Sequence, residues 1–157
     1  MTIQQESIIE SEDTQHGRYL TFILGEEVFG IEIRYVTEII GMHQITQLPE
    51  LPEHIRGIIN LRGKIIPVID IRLRFNKEPI DYDDRTCIIV IDIDDISVGL
   101  IVDQVDEVIT YEDEDIVPPP DQRSGIQNRF IAGIGRRDEN VTLILDSRRL
   151  LTEDDNL

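Results

Sequence analysis

The side chains that most often carry catalysis or bind metal ions are few in this sequence, and their spacing is unfavourable. The three histidines, His16, His43 and His54, share no metal-ligand spacing, so we predict neither a zinc site nor a catalytic histidine. No Gly-x-Ser-x-Gly segment is present to hold a nucleophilic serine. Gly57 and Gly63 lack the Lys-Ser/Thr pair that completes a phosphate-binding loop. We therefore expect no catalytic residue, no metal and no cofactor.

Two further features could carry chemistry but are better explained by structure. The segment 92–95, Asp-Ile-Asp-Asp, resembles the start of a calcium loop. It lacks the later glycine and the bidentate glutamate of such a loop, so a solvated hairpin turn is favoured. Cys87 stands in an apolar run, Thr-Cys-Ile-Ile-Val-Ile. A buried structural thiol is therefore favoured over a reactive one.

Arginine and glutamate offer a different chemistry, which is recognition. Arg62 lies at a predicted hairpin tip, where an isolated arginine contributes little to stability. A guanidinium braced by a carboxylate can instead order a rim or present paired hydrogen-bond donors to another protein. We predict Glu38, an acid that recurs later in the chain, as the partner of Arg62. Arg56, Arg62 and Lys64 are notable because the chain carries a formal net charge of −17.

That net charge excludes several classes of partner. The 32 acidic residues outnumber 15 basic ones, so nucleic acid would be repelled, and an anionic membrane surface is disfavoured on the same grounds. Solubility, including solubility in a salt-rich cytosol, accounts for the excess. No run approaches the roughly 20 apolar residues of a membrane span, and the first residues do not form a secretory signal. We expect a cytoplasmic protein without direct membrane insertion.

An internal repeat must position the candidate residues. The segment 29–40, Phe-Gly-Ile-Glu-Ile-Arg-Tyr-Val-Thr-Glu-Ile-Ile, returns as 98–109, Val-Gly-Leu-Ile-Val-Asp-Gln-Val-Asp-Glu-Val-Ile, with an offset of 69 residues. A second block, 56–70, returns as 132–146 with an offset of 76. This pattern predicts two similar units related by a pseudo-two-fold axis. A cleft between such units is a natural binding site.

Short β-rich runs separated by turn residues predict an all-β fold. The predicted hairpins join 19–24 with 28–33, 57–61 with 64–71, 87–93 with 98–102, and 130–135 with 141–145. We also predict a short helix over 34–40 and a closing helix over 147–151. Val36 and Ile39 would share one face of the first helix, where burial in the core and contact with a partner both remain open.

The same patterns divide the chain into four parts. Residues 1–16 are polar and acidic and are predicted to be a disordered tail, and 153–157 form a second tail. The body, 17–152, is predicted to be one domain of two subdomains, approximately 17–82 and 83–152. Residues 74–85 form the linker between the repeats.

The segment 57–70, Gly-Ile-Ile-Asn-Leu-Arg-Gly-Lys-Ile-Ile-Pro-Val-Ile-Asp, together with 19–25, 29–38 and the repeat, resembles the CheW-like domain family. The resemblance covers roughly residues 18–152, and Asn-Leu-Arg-Gly at 60–63 is its most specific part. It implies two small SH3-like (OB-like) five-stranded barrels related by a pseudo-two-fold, with short helices and possible exchange of strands. It implies no catalysis and no cofactor.

The resemblance also implies partners and a function. The family couples chemoreceptors to the histidine kinase CheA, so a non-catalytic adaptor of chemotaxis arrays is expected, recruited from the cytoplasm to membrane receptors. Its partners would be the regulatory domain of CheA and the hairpin tip of a methyl-accepting receptor. The chain is too short for a kinase core and carries no receiver segment after residue 152, so a stand-alone adaptor is expected. The alternative is a CheW-like coupling protein of another kinase pathway, for motility or a second messenger.

Residues are assigned to two faces by the same resemblance. The receptor-binding set lines or flanks a groove between the barrels and comprises Val36, Glu38, Ile39, Met42, Gly57, Arg62, Val105 and Val108. The kinase-binding residues are Arg56 and Ile65. Within the first set, Met42 suits an adaptable recognition surface. Gly57 recurs as Gly133, which indicates a close approach of strands more than a contact with a partner.

Overall fold

Two β-sheets make up most of the chain in a computed structural model that describes residues 15–119 and 127–152. The strands are β1 (Arg18–Leu24), β2 (Glu27–Glu32), β3 (Val36–Gly41), β4 (Ile55–Leu61), β5 (Lys64–Asp70), β6 (Cys87–Ile93), β7 (Ile96–Val102), β8 (Gln104–Thr110), β9 (Ile116–Val117), β10 (Ile131–Arg137) and β11 (Asn140–Leu145). The helices are α1 (Ile71–Arg74) and α2 (Ser147–Thr152), with 3-10 turns at Ile33–Tyr35, Asp113–Asp115 and Gln127–Phe130.

The order of strands in the two sheets follows the sequence repeat. Sheet A runs β8-β1-β2-β11-β10-β9, and sheet B runs β3-β6-β7-β5-β4. The repeat offsets match β3 with β8, β6 with β1, β7 with β2, β5 with β11 and β4 with β10. Replacing each strand of sheet B by its repeat equivalent reproduces sheet A, with β9 as one additional edge strand. The predicted all-β class with two barrel-like units is confirmed.

Strands are exchanged between the two halves of the chain. The edge strand β3 pairs with β6, and its repeat equivalent β8 pairs with β1. The parallel pairings also cross the halves: Leu143 lies opposite Phe29 in one sheet, and Val68 lies opposite Gly99 in the other. The predicted boundary between the subdomains, near residue 82, therefore separates the two sequence repeats but does not separate the two sheets. Each sheet needs both halves of the chain to form.

The helix predicted over 34–40 is wrong. Only Ile33–Tyr35 form a helical turn, and the next six residues are strand β3. A seven-residue window is too short to separate a period of 3.6 from a period of 2. β-branched side chains fill four of the first five positions of β3, and such residues fit a pleated surface better than a helix. Val36 and Ile39 therefore do not share a face. They are three positions apart, and residues an odd number of positions apart in a strand point to opposite sides of the sheet.

The other predicted elements agree with the structure, within a few residues at their ends. All four hairpins form, and α2 closes the chain where a helix was predicted. The linker contains no strand, although α1 precedes it. Most of the predicted N-terminal tail, residues 1–14, lies outside the described residues, as do the loop 120–126 and the tail 153–157.

The main hydrophobic core lies between the two sheets. Four phenylalanines run through it with ring-centroid distances of 5.4–5.6 Å, in the order Phe22, Phe29, Phe75 and Phe130. Phe75 follows α1, so the linker is anchored between Phe29 of the first half and Phe130 of the second half. Aliphatic residues of both sheets surround the four rings. Smaller clusters fill the interior of each sheet's own barrel.

A largely buried ion pair connects the two sheets at one side. Arg72 of α1 donates from Nε and Nη2 to the two carboxylate oxygens of Asp103, at 2.7 and 2.6 Å. The Gly25 amide donates to the same carboxylate at 2.9 Å. The two charged side chains are only 15% and 18% exposed. Burial alone would raise the pKa of Asp103, but the hydrogen bonds from Arg72 and Gly25 and the charge of Arg72 lower it below its ordinary value.

Asp103→Asn should destabilise the protein by about 3 kcal/mol, because it leaves the Arg72 charge without its buried partner. A lowered folded-state pKa stabilises the protein above the unfolded value of about 3.9 and ceases to do so as the pH falls through the folded value. In urea unfolding, the variant should therefore have the lower free energy of unfolding at neutral pH, and its difference from the parent should shrink below about pH 4. Asp94→Asn is the matched control, since Asp94 pairs with Arg148, the exposed repeat equivalent of Arg72. A pH-independent difference would contradict the prediction.

Candidate functional site

The hairpin between β4 and β5 explains the local sequence around Arg62. Arg62 and Gly63 both have positive φ, 53° and 86°, as a two-residue hairpin turn with the twist of its strands requires. The Asn60 side chain accepts a hydrogen bond from the Gly63 amide at 2.8 Å and closes the turn. Glycine suits the second position, but arginine at the first is a disfavoured backbone choice. That choice places the guanidinium at the tip and points to a role in recognition.

Arg62 contacts Glu38, as the sequence predicts. Its Nη2 donates to the Glu38 carboxylate across from the hairpin to β3. The arginine side chain is 70% exposed and the glutamate 30%. An ion pair this exposed contributes little to folding. Its effect is to hold one edge of the guanidinium, so that the remaining donors face solvent in a fixed direction.

A pocket of about 310 Å³ opens beside this pair at the mouth of sheet B. Its apolar lining comes from Leu61, Ile66 and Val90, and its polar lining from Thr37, Glu38, Arg62, Lys64, Asp92 and Ser97. Lys64 Nζ donates to Ser97 Oγ at 2.6 Å, and Ser97 Oγ donates to Asp92. Charges of both signs therefore surround an apolar floor. Such a lining suits the recognition of a side chain of another protein.

The structure divides the residues predicted to line the receptor groove. Val36 and Val105, which are repeat equivalents, are half-buried against the main core. Ile39 and Val108, also repeat equivalents, are exposed on the edge strands β3 and β8. The two strands belong to different sheets. Of these four aliphatic residues, Ile39 and Val108 are exposed to a partner, and Val36 and Val105 pack inward against the core.

Met42 packs inside the barrel of sheet B, against the smaller cluster that contains Ile59. Its repeat equivalent is Tyr111, whose hydroxyl hydrogen-bonds Thr142 at 2.7 Å inside sheet A. A Cβ on Gly135 would lie 2.5 Å from the Tyr111 ring. The repeat equivalent of Gly135 is Ile59, so one barrel combines a large ring with glycine and the other combines methionine with isoleucine. This volume exchange gives Met42 a packing role in the barrel of sheet B.

Gly57 is buried and has a φ of 144°. A Cβ at this position would lie 2.2 Å from the carbonyl oxygen of Thr46. The Thr46 and Ile58 backbones exchange two hydrogen bonds at 2.9 Å beside it. The recurrence of Gly57 as Gly133 predicts a close approach of two backbones, and the Thr46 backbone makes that approach here. Any influence of Gly57 on a partner must therefore pass through the segment that Thr46 anchors.

The two predicted kinase-binding residues differ in their surroundings. Arg56 is half-buried near Tyr82, whose hydroxyl donates to Asp70 at 2.8 Å. Burial, followed by the hydrogen bond to Asp70 and its charge, raises the pKa of Tyr82, and Arg56 opposes that shift. Arg56 thus belongs to a polar network that anchors the linker. Ile65 is 57% exposed and is free to contact another protein.

Sequence reasoning missed two exposed aliphatic residues related to Ile65. Val141 is its repeat equivalent, and Ile96 begins β7; each is 51% exposed. The parallel pairing sets Val68 of β5 opposite Gly99 of β7, and the hydrogen bond from Lys64 to Ser97 brings the first residues of the two strands together. Adding the repeat offset of 76 residues to position 65 gives position 141, so the sequence alone could have predicted Val141. Ile96 carries no such signal, because only the strand pairing places it there.

A larger cavity of about 520 Å³ lies elsewhere, lined by Gln15, His16, Gly17, Tyr19, Glu32 and Arg34. No predicted site residue is among the described residues that line it. Within residues 15–119 and 127–152, no three side chains of His, Cys, Asp or Glu are grouped to hold a metal ion. Across the same ranges, none of the helices has the length and apolar content needed to cross a membrane.

The site has an arginine at the tip of a hairpin and exposed aliphatic side chains on strands that the two halves exchange. These features are typical of a domain that binds other proteins. The model of the CheW-like domain family matches residues 18–155. The chain therefore belongs to the CheW-like domain family. The resemblance seen in the sequence is confirmed, and with it the class of non-catalytic chemotaxis scaffold.

Individual relatives support the assignment over most of the chain. The chemotaxis protein CheW of Klebsiella aerogenes is 34% identical over 143 residues, which cover 91% of this chain and 86% of that protein. The chemotaxis protein CheW of Rhizobium meliloti is 36% identical over 122 residues, with 77% and 79% covered. The crystal structure of the scaffolding protein TtCheW from Thermoanaerobacter tengcongensis superposes with a TM-score of 0.82. It is 38% identical in sequence, with 90% of this chain and 95% of that chain covered.

Proposed function

We propose that this protein is an adaptor that couples chemoreceptors to the histidine kinase CheA. The observation that carries the proposal is the braced Arg62 at the mouth of the sheet B pocket, because the most specific motif of the family surrounds that arginine. Membership of a family of chemotaxis scaffolds also supports this proposal. The adaptor would join receptor and kinase by holding both, and no step of chemistry is required of it.

Two separate surfaces would serve the two partners. The receptor hairpin tip is helical, so it needs an apolar strip with a polar edge. Ile39 and Val108 offer the aliphatic contacts, and Arg62 with Glu38 offers the polar edge. The kinase regulatory domain would bind at Ile65, where Ile96 enlarges the exposed aliphatic area. The protein would act in the cytoplasm and be recruited to membrane arrays through the receptor.

Binding assays with purified partners test the proposal. The full chain should bind both a receptor signalling fragment and the CheA regulatory domain at micromolar concentrations. Coupling should appear as a rise in kinase activity only when receptor, kinase and this chain are combined. If the chain binds neither partner, the adaptor function is excluded. Binding to a receptor and kinase of another pathway, with none to the chemotaxis pair, would support the alternative.

Ile39→Asp should weaken receptor binding while leaving kinase binding and the melting temperature near the parent values. The reason is that Ile39 is exposed, so the new charge stays hydrated in the free protein but is desolvated in the complex. Val36→Asp is the contrasting variant: Val36 packs against the main core, and a charge there should lower stability by about 2 kcal/mol or more. Circular dichroism melts and fluorescence binding assays separate the two results. Equal receptor affinity for Ile39→Asp and the parent would remove Ile39 from the site.

A further inference from the structure

The charge composition is unusual in a second way beyond its net value. Only two of the 15 basic residues, Lys64 and Lys77, are lysines. A lysine places a long apolar stem on the surface beneath its ammonium group. Concentrated salt strengthens the association of exposed apolar surface, so such stems promote aggregation there. A surface rich in short carboxylates and poor in lysine avoids that effect.

Many of the basic residues form ion pairs with carboxylates, and a large excess of unpaired acidic residues remains. The described cations that pair with a carboxylate include Arg34, Arg62, Arg72, Lys77, Arg85, Arg137, Arg148 and Arg149. With 32 acidic residues against 15 basic ones, these pairs cannot balance the surface. Acidic runs at 81–84, 92–95 and 112–115 place like charges within a few residues of one another. Repulsion within such runs destabilises the folded state wherever salt does not screen it.

Acids also occupy most of the positive-φ positions that do not hold glycine. Six non-glycine residues of the described chain have positive φ, a conformation that glycine adopts freely and that asparagine and aspartate adopt more readily than other residues. Four of the six are acidic: Glu50 (63°), Asp94 (51°), Asp95 (66°) and Asp138 (56°). Asp94-Asp95 fills a two-residue hairpin turn in which Asn-Gly is the favoured pair. Negative charge is retained at these turns although a neutral residue would fit the backbone better.

We infer that this protein is adapted to molar salt and that its folded state depends on screening of its surface by dissolved cations. At about 0.1 M salt the screening length is about 10 Å, which spans an acidic run, whereas at about 1 M it is about 3 Å. Screening weakens the exposed ion pairs as well, but repulsion outweighs them because acids are twice as numerous. The buried Arg72–Asp103 pair is shielded from this change.

Thermal unfolding of the full chain at neutral pH in a KCl series tests the inference. Between about 0.1 and 2 M KCl the melting temperature should rise by about 5–10 °C, because a few kcal/mol corresponds to that shift in a chain of this size. The triple variant Glu50→Asn/Asp95→Asn/Asp138→Asn should melt above the parent in low salt, with the gap narrowing as KCl increases. Asparagine suits the backbone at all three positions, so the variant should fold.

Two controls separate charge from other causes. Asn76→Asp adds an acid at the one positive-φ position of the described chain that holds asparagine (61°), and should steepen the dependence on KCl. Sucrose strengthens burial without screening charge, so in sucrose the triple variant and the parent should gain stability equally. A parent equally stable at both ends of the KCl series would overturn the inference. A gap between variant and parent that KCl does not change would also overturn it, because turn propensity alone would explain that result.

Discussion

Gly57→Ala should lower the free energy of unfolding by about 3–5 kcal/mol, the largest stability loss expected of a single methyl group in this protein. Two costs combine at this position. The φ of 144° is one that L side chains rarely adopt, and the added carbon would lie 2.2 Å from a backbone oxygen. A backbone oxygen cannot rotate away as a flexible side chain would. The Thr46 segment must therefore leave β4, which breaks two hydrogen bonds.

Two other glycines make this prediction a controlled series. Gly63 has a positive φ of 86° but open space around its Cβ position, so Gly63→Ala should show the backbone cost alone, about 1 kcal/mol. Gly41 has neither a positive φ nor a close neighbour, so Gly41→Ala should be near neutral. Urea unfolding of the three variants measures the order directly. Equal losses for Gly57→Ala and Gly63→Ala would show that the Thr46 segment yields without cost.

The repeat in the sequence predicts more of the fold than any single segment does. It identifies equivalent strands, and the order of strands in the two sheets obeys that equivalence. It does not specify whether a strand pairs within its own half or with the other half, because both arrangements satisfy the same local pattern. Exchange is decided by contacts far apart in sequence. The pairing of β3 with β6 is one such contact.

The wrong helix near the predicted site has a local origin. Three apolar residues match a helical spacing over the seven residues 34–40, whereas the structure has a 3-10 turn followed by strand β3. The resemblance assigns Met42 to the receptor groove, and the structure adds that this half-buried side chain packs against the cluster containing Ile59. Volume exchange between Met42–Ile59 and Tyr111–Gly135 is visible only once the two barrels are superposed through the repeat.

The contact between Arg62 and Glu38 was predictable for a different reason. The hairpin signature fixes where Arg62 lies, and recurrence of the acid at positions 38 and 107 indicates a position that both repeats constrain. The second repeat departs from the first at the tip: Asp138 takes the place of Arg62, with nearly the same φ of 56°. An acid there cannot pair with Glu107. The Arg62–Glu38 pair therefore has no counterpart at positions 138 and 107, which breaks the pseudo-symmetry at the proposed site.

Arg62→Lys should lower receptor affinity by about 10- to 100-fold, the equivalent of about 1.5–3 kcal/mol for lost hydrogen bonds to a charged group. Lysine keeps the charge and the same backbone preference at φ 53°, so the change isolates the guanidinium fork. An ammonium cannot donate two parallel hydrogen bonds while also contacting Glu38. Stability should change by less than about 1 kcal/mol, because the arginine side chain is 70% exposed.

Combining Arg62→Lys with Glu38→Gln decides whether the brace matters. If Glu38 acts by orienting Arg62, each substitution removes part of the same contact, and the double variant should lose less affinity than the sum of the single losses. Melting temperature and receptor affinity are measured for the parent, both single variants and the double variant. Additive losses would mean that Glu38 and Arg62 contact the receptor independently. Parental affinity and kinase activation in Arg62→Lys would show that the guanidinium fork is not needed for binding.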